Sequence, residues 1–255
     1  MIMTTTLSTL SAVEREKLIA DKFYCSLAQS SNDYAQLVKS GWVNHRYSHP
    51  QMLELYRQSI DSHPIAERRA GEAINILFTT GSFAPLHLGH IEMLQRARQV
   101  LYEAGIKVDK VIVSASHDQY VLYKNESTRH WPIERRIERI RELIKDEAGF
   151  SLDRWESQIC EAPVNFTDVL CYLETYFLRC GFARVNLYYV FGSDNIEFAR
   201  CFNFPQFVGR YGGVCVQRSQ AFIDSATRSK MGTNIFFTQN LLYPHLSSTW
   251  VRNHG

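Results

Sequence analysis

The chain has 255 residues, 45% of them hydrophobic, which suffices to bury a full core in one domain plus an appendage. Its 28 basic and 26 acidic side chains nearly cancel, so composition gives no field of the kind that draws nucleic acid or an anionic membrane. No apolar stretch approaches the roughly 18 residues of a membrane-spanning helix, and Met1 to Leu10 lacks the basic start and apolar core of an export signal. Cys25, Cys160, Cys171, Cys180, Cys201 and Cys215 show no C-x-x-C pairing and no histidine at metal-ligand spacing. They read as reduced thiols of a cytoplasmic protein, and no motif dedicated to a metal is visible.

In chain order, residues 1–72 read as a small helical extension. Val13 to Ile19 and Met52 to Tyr56 have helical periodicity, interrupted by Gly41, Pro50 and Pro64. Packing on the main domain, homo-oligomer formation and partner binding all fit this segment. From Ala73 onward, residues 73–255, the order strand, helix, strand, helix, helix, strand argues for a doubly wound α/β domain with a parallel sheet and right-handed crossovers.

Ile76-Leu77-Phe78 is a short apolar run of the kind a buried parallel strand shows, and Ile91, Leu94, Ala97, Val100 and Leu101 recur at helical spacing. Between them lies Gly81-Ser82-Phe83-Ala84-Pro85-Leu86-His87-Leu88-Gly89-His90. Gly81 can take backbone angles closed to other residues, and Gly89 permits close approach to a ligand. A helix starting near His87 aims unpaired N–H groups and its positive dipole end at whatever lies above the sheet, which stabilises an anion. His87 and His90, three apart, share a face of the first turn, so two imidazoles can donate to phosphate oxygens together.

This G-x-F-x-P-x-H-x-G-H pattern resembles the first signature of the nucleotidylyltransferase superfamily. Leu246-Ser247-Ser248-Thr249-Trp250-Val251-Arg252 is similar to its second, I-S-S-T-x-x-R. The resemblance implies a Rossmann-like fold and a nucleoside triphosphate held between the two motifs. His87 and His90 would stabilise the α-phosphate. Ser247, Ser248 and Thr249 would cradle the β- and γ-phosphates, with Arg252 forking onto them. Gly81, Ser82, Phe83 and Gly89 would line the same site.

Several intervening segments resemble the nicotinamide or nicotinate mononucleotide adenylyltransferases within that superfamily. Ser116, Asp118, Tyr120 and Lys124 fall where that family has a loop whose lysine reaches substrate phosphate, and Arg136 falls where it has an arginine opening a helix. Trp155-Glu156-Ser157 is similar to a W-E-S segment, which implies that Trp155 stacks on the pyridine ring. Asn165-Phe166-Thr167 is similar to an S-Y-T segment, which places Thr167 near the pyridine carboxylate or amide. Val185 to Phe191 reads as a further strand, and Gly192-Ser193-Asp194 after it matches a G-x-D. There Gly192 would admit the adenosine and Asp194 would hold the ribose hydroxyls. Tyr211 to Arg218 matches Y-G-x-x-x-V-x-R.

The resemblance implies adenylyl transfer from ATP to a pyridine mononucleotide, with magnesium carried by the ATP. Whether the acceptor is the amide or the acid stays open. The alternatives are a sister transferase with another phosphate acceptor and a regulatory module that binds nucleotide without turnover. Family members continue beyond the arginine with C-terminal helices, and the sequence ends three residues after Arg252, as a short form or a fragment would.

Overall fold

The computed structural model describes residues 72–124, 131–160, 163–164, 166–203, 211–218, 223–229, 231–238, 248 and 250–251. The helical extension expected over residues 1–72 lies, apart from Glu72, outside these.

Strand β1 (Ala73–Gly81) carries apolar residues on both faces, and Ile74 and Ile76 to Thr79 are buried. A strand of that kind needs cover on both sides. It receives it because alternate side chains leave opposite faces. On one side, Ile74, Ile76 and Phe78 join Val169, Leu170, Leu173 and Phe177 of helix α4 (Phe166–Arg179) in one core cluster. On the other, Leu77 joins Ile91, Leu94, Ala97 and Leu101 of α1 (Leu88–Glu103) and Ile137, Ile140 and Ile144 of α3 (Ile133–Ile144). The result is three layers, helix on sheet on helix.

The remaining strands are β2 (Lys110–Ala115), β3 (Phe150–Asp153), β4 (Arg184–Gly192), β5 (Tyr211–Val216) and β6 (Ile235–Phe237). Short helices α2 (Asp118–Lys124) and α5 (Ser225–Ser229) complete the order. All the strand pairings are parallel, and the six strands lie in the order β3-β2-β1-β4-β5-β6. The doubly wound α/β reading is thereby met. The order reverses between β1 and β4, where connections leave toward opposite edges and a crevice opens beyond the strands' carboxyl ends. Thr79 donates its hydroxyl to the Val190 carbonyl at 3.0 Å, closing the seam just below that crevice. Among the described residues no helix is long and apolar enough to cross a membrane.

Candidate active site

The loop after β1 turns sharply. Phe83 has φ 42°, in the left-handed region that side chains rarely occupy, and a Cβ on Gly81 would stand 3.1 Å from its ring. The glycine thus gives the Phe83 ring room to fold back. Pro85 follows with a cis peptide bond, and His87 sits at the N-cap of α1 with extended backbone.

Here the two histidines meet. Their ring centroids are 3.8 Å apart, and Phe83 meets the His90 ring edge-on at 5.1 Å. The His87 backbone N–H donates to Nδ1 of His90 at 3.2 Å, satisfying one of the N–H groups that a helix start leaves orphaned. That bond needs a lone pair on Nδ1, so neutral His90 carries its proton on Nε2. Burial pushes the His87 pKa down to about 4 and the His90 pKa well below the usual histidine range, with the nearby Arg218 charge adding to both. Both imidazoles are therefore uncharged at neutral pH. Within this loop, Ser82 Oγ and His87 Nδ1 are buried and make no hydrogen bond.

The second motif reaches the first through Ser248, whose hydroxyl donates to the Pro85 carbonyl at 2.9 Å. Ser247, Thr249 and Arg252 lie outside the described residues, as does the side chain of Lys124 at the end of α2. Gly89 is buried in the first turn of α1. Across the switch point, Asp194 lies in the first turn of a 3₁₀ segment (Ser193–Asn203) directly after β4. A Cβ on Gly192 would stand 2.3 Å from Asp194 Oδ1, so glycine is required there for the carboxylate to fold back over the strand end.

Two acceptor residues expected from the sequence sit differently. Arg136 is wholly buried: Nη1 donates to the Ser82 carbonyl at 2.8 Å, and Nη2 donates to the Ser116 carbonyl at 2.9 Å and to Asp118 Oδ1 at 2.5 Å. Those contacts use the fork to brace the β1 and β2 loops. Trp155 is 1% exposed and stacks on Tyr172 at 4.3 Å, while the Tyr172 hydroxyl and the Trp155 backbone N–H both donate to Asp153 Oδ1 at 3.2 Å. It opens a π-helical turn (Trp155–Ile159) in the core and presents no platform to solvent. An indole gains more from burying its rings than from exposing them. Thr167 is also buried, in the first turn of α4.

The sequence reading passed over two residues. Glu156 is buried beneath the β1 end with its carboxylate on the Thr80 hydroxyl and the Ser114 hydroxyl beside it. Burial raises its pKa to about 7. Arg218, just past β5, lies against Asp194 and acts electrostatically on both histidines. Its only signal was its place ending the Y-G-x-x-x-V-x-R run. Among the described residues, no group of three or more His, Cys, Asp or Glu is placed to hold a metal ion.

One curated relative, nicotinamide/nicotinic acid mononucleotide adenylyltransferase 2 of Xenopus tropicalis, is 30% identical over 107 residues, covering 42% of this chain and 29% of that protein. The chain thus spans under a third of the length of the relative it matches. The model of the cytidylyltransferase-like family matches residues 78–254, from the middle of β1 through the second motif. That match spans well over half of the sequence, and the chain belongs to the cytidylyltransferase-like family of nucleotidylyltransferases.

Proposed function

We propose that the chain transfers the adenylyl group of ATP to nicotinamide or nicotinate mononucleotide, releasing pyrophosphate. The observation that carries this reading is the pair of neutral, closely packed histidines at the start of α1, in the same loop as the unpartnered Ser82 Oγ. The named activity of the Xenopus relative supports the choice of acceptor.

The acceptor's 5′-phosphate oxygen attacks the α-phosphorus of ATP in line as the bond to the bridging oxygen breaks, and pyrophosphate leaves. Little covalent chemistry is asked of the protein. Its part is alignment, and stabilisation of negative charge as it spreads over the phosphoryl oxygens. His90 Nε2–H and the N–H groups opening α1 aim at that charge without carrying a charge that water would have to reorganise around. Arg252 and the hydroxyls of Ser247, Ser248 and Thr249 hold the departing pyrophosphate. Asp194 takes the ribose, and Lys124 serves the acceptor. Magnesium would come with the ATP as part of the substrate and would neutralise part of the triphosphate charge. Purified protein incubated with ATP, magnesium and each mononucleotide in turn, with products separated by chromatography and pyrophosphate measured, tests the reading. Dinucleotide from one acceptor is expected. ATP binding with no pyrophosphate from either would leave a nucleotide-sensing module.

A further inference from the structure

Three residues on adjacent strands form a polar row on the sheet face that α4 covers. Thr80 of β1 is in register with Ser114 of β2, and Ser114 with Asp153 of β3. Two residues back along β1 and β2, the same face carries Phe78 and Ile112 of the apolar core. Glu156 lies against this row. It is 2% exposed, and its carboxylate meets the Thr80 hydroxyl with the Ser114 hydroxyl beside it. Thr80 is half-buried, the last residue but one of β1, and its Oγ1 stands 3.5 Å from Ser116 Oγ just past β2. A line of hydroxyls thus runs from a buried carboxyl to the end of β1, which borders the crevice.

Burial pushes the Glu156 carboxyl up to about 7, and the charges that act on it are Arg136 of α3 and Asp168 of α4. Together with Asp153 and Asp168 it acts in turn on Cys160, at the end of the π-helical turn. Arg136 gives its fork to Ser82, Ser116 and Asp118. Negative charge therefore predominates around Glu156, and a further anion nearby disfavours its ionised form. The protonation state decides what Thr80 can do. A carboxylate only accepts, so it holds the Thr80 proton inward. A neutral carboxyl donates its own proton to Thr80 Oγ1, which releases the threonine O–H to an acceptor outside.

We propose that Glu156 is a positioning residue that takes up a proton from solvent as an anionic mononucleotide enters beside the ends of β1 and β2, and so turns the Thr80 hydroxyl outward as a donor. The inference rests on the adenylyl-transfer reading, which puts the acceptor on the β2 side with Lys124. It makes acceptor binding a proton-linked event, stronger below the Glu156 midpoint and weaker as pH rises through it.

Calorimetric titration of the full chain with nicotinamide and nicotinate mononucleotide in turn, without ATP and in buffers of different ionisation enthalpy, counts the protons taken up. The ligand phosphate completes its own ionisation near pH ~6, so the useful range lies above that. The wild type should take up roughly half a proton near pH 7, and its affinity should fall by about 3-fold or more between about pH 7 and 8.5. Glu156→Gln offers an amide N–H to Thr80 at every pH. It should keep the affinity at neutral pH within about 3-fold and lose both the uptake and the pH dependence, neither of which a merely structural role would move. Thr80→Val should weaken the mononucleotide by about 10-fold, as loss of a hydrogen bond to a charged group implies, while Thr80→Ser should behave as the wild type. Binding without proton uptake, uptake unchanged in Glu156→Gln, or unaltered affinity in a folded Thr80→Val overturns the proposal while the transfer reading stands. If Glu156→Gln fails to fold, the wild-type uptake and the two Thr80 variants decide. Wild-type protein that binds neither mononucleotide removes the transfer reading, and the proposal with it.

Discussion

The His87 backbone N–H donates to Nδ1 of His90, so the first histidine of the pair fixes the tautomer of the second. Replacing His90 removes both a helix cap and the Nε2–H donor. His90→Ala is expected to lower kcat by about 10²-fold or more with a smaller change in KM, as for a contact made chiefly in the transition state. Steady-state kinetics of the pyrophosphate release check this, and a near-normal kcat would take His90 out of the chemistry.

Neither imidazole should titrate near the ordinary histidine value. The folded pKa of His87 lies near 4 against 6.5 for a free side chain. Between those values the unfolded chain binds the extra proton, so this group's contribution to stability falls as pH drops from 6.5 toward 4. The kcat/KM profile, which reports the free protein, is expected to show no histidine inflection near 6.5. NMR titration of the imidazole protons gives a direct measurement, and a midpoint close to 6.5 for either ring contradicts the assignment.

Glu156 titrates in the opposite sense. Its carboxyl is held neutral up to about pH 7 in the fold, whereas a free one ionises near 4.5. Above 4.5 the folded state therefore binds more protons than the unfolded chain. Stability is lost as pH rises from 4.5 through 7, by an amount on the order of 3 kcal/mol at most. Glu156→Gln copies the neutral form and should flatten that decline in a series of denaturant melts from pH 5 to 8. An unchanged slope means that the buried carboxyl is not its source.

Arg136 braces two loops, so its loss should act through the fold. Arg136→Met leaves the Ser82 and Ser116 carbonyls and the Asp118 carboxylate without their donor, at a cost of about 3–5 kcal/mol. Arg136→Lys should recover little, because one ammonium cannot reproduce a planar fork reaching three acceptors. Denaturant melts report the loss. A raised KM for the mononucleotide at unaltered stability would instead mark Arg136 as a ligand contact.

Trp155→Ala should cost about 3–5 kcal/mol by emptying a core site against Tyr172. Trp155→Phe should recover much of it. In the folded fraction, KM for the mononucleotide is expected to stay within about 2-fold, since a lost stacking contact would be worth on the order of 1 kcal/mol.

The parts legible in the sequence were those whose meaning is local. Gly81 to His90 announces a strand-to-helix junction because turn, proline and cap residues lie side by side, and Gly192-Ser193-Asp194 does the same after β4. Residue type alone could not reveal what depends on distant partners. Arg136 reads as an acceptor contact until Ser82, Ser116 and Asp118 are brought around it. Trp155 reads as a ring-binding platform until α4 lays Tyr172 across it. Arg218 shows its surroundings only when the parallel order sets β5 beside β4.

The bond from Ser248 to Pro85 joins positions 163 apart. A growing polypeptide emerges from the ribosome at about 5–20 residues per second, so the histidine loop waits several seconds at least for the hydroxyl that meets it. The strands from β1 to β5 can pair during that interval, with the crevice still lacking its second wall. A chain cut short before Ser248 is therefore expected to keep the circular dichroism of the sheet and lose nucleotide binding. Assembly of the scaffold and completion of the pocket are then two separate events in the biogenesis of this protein.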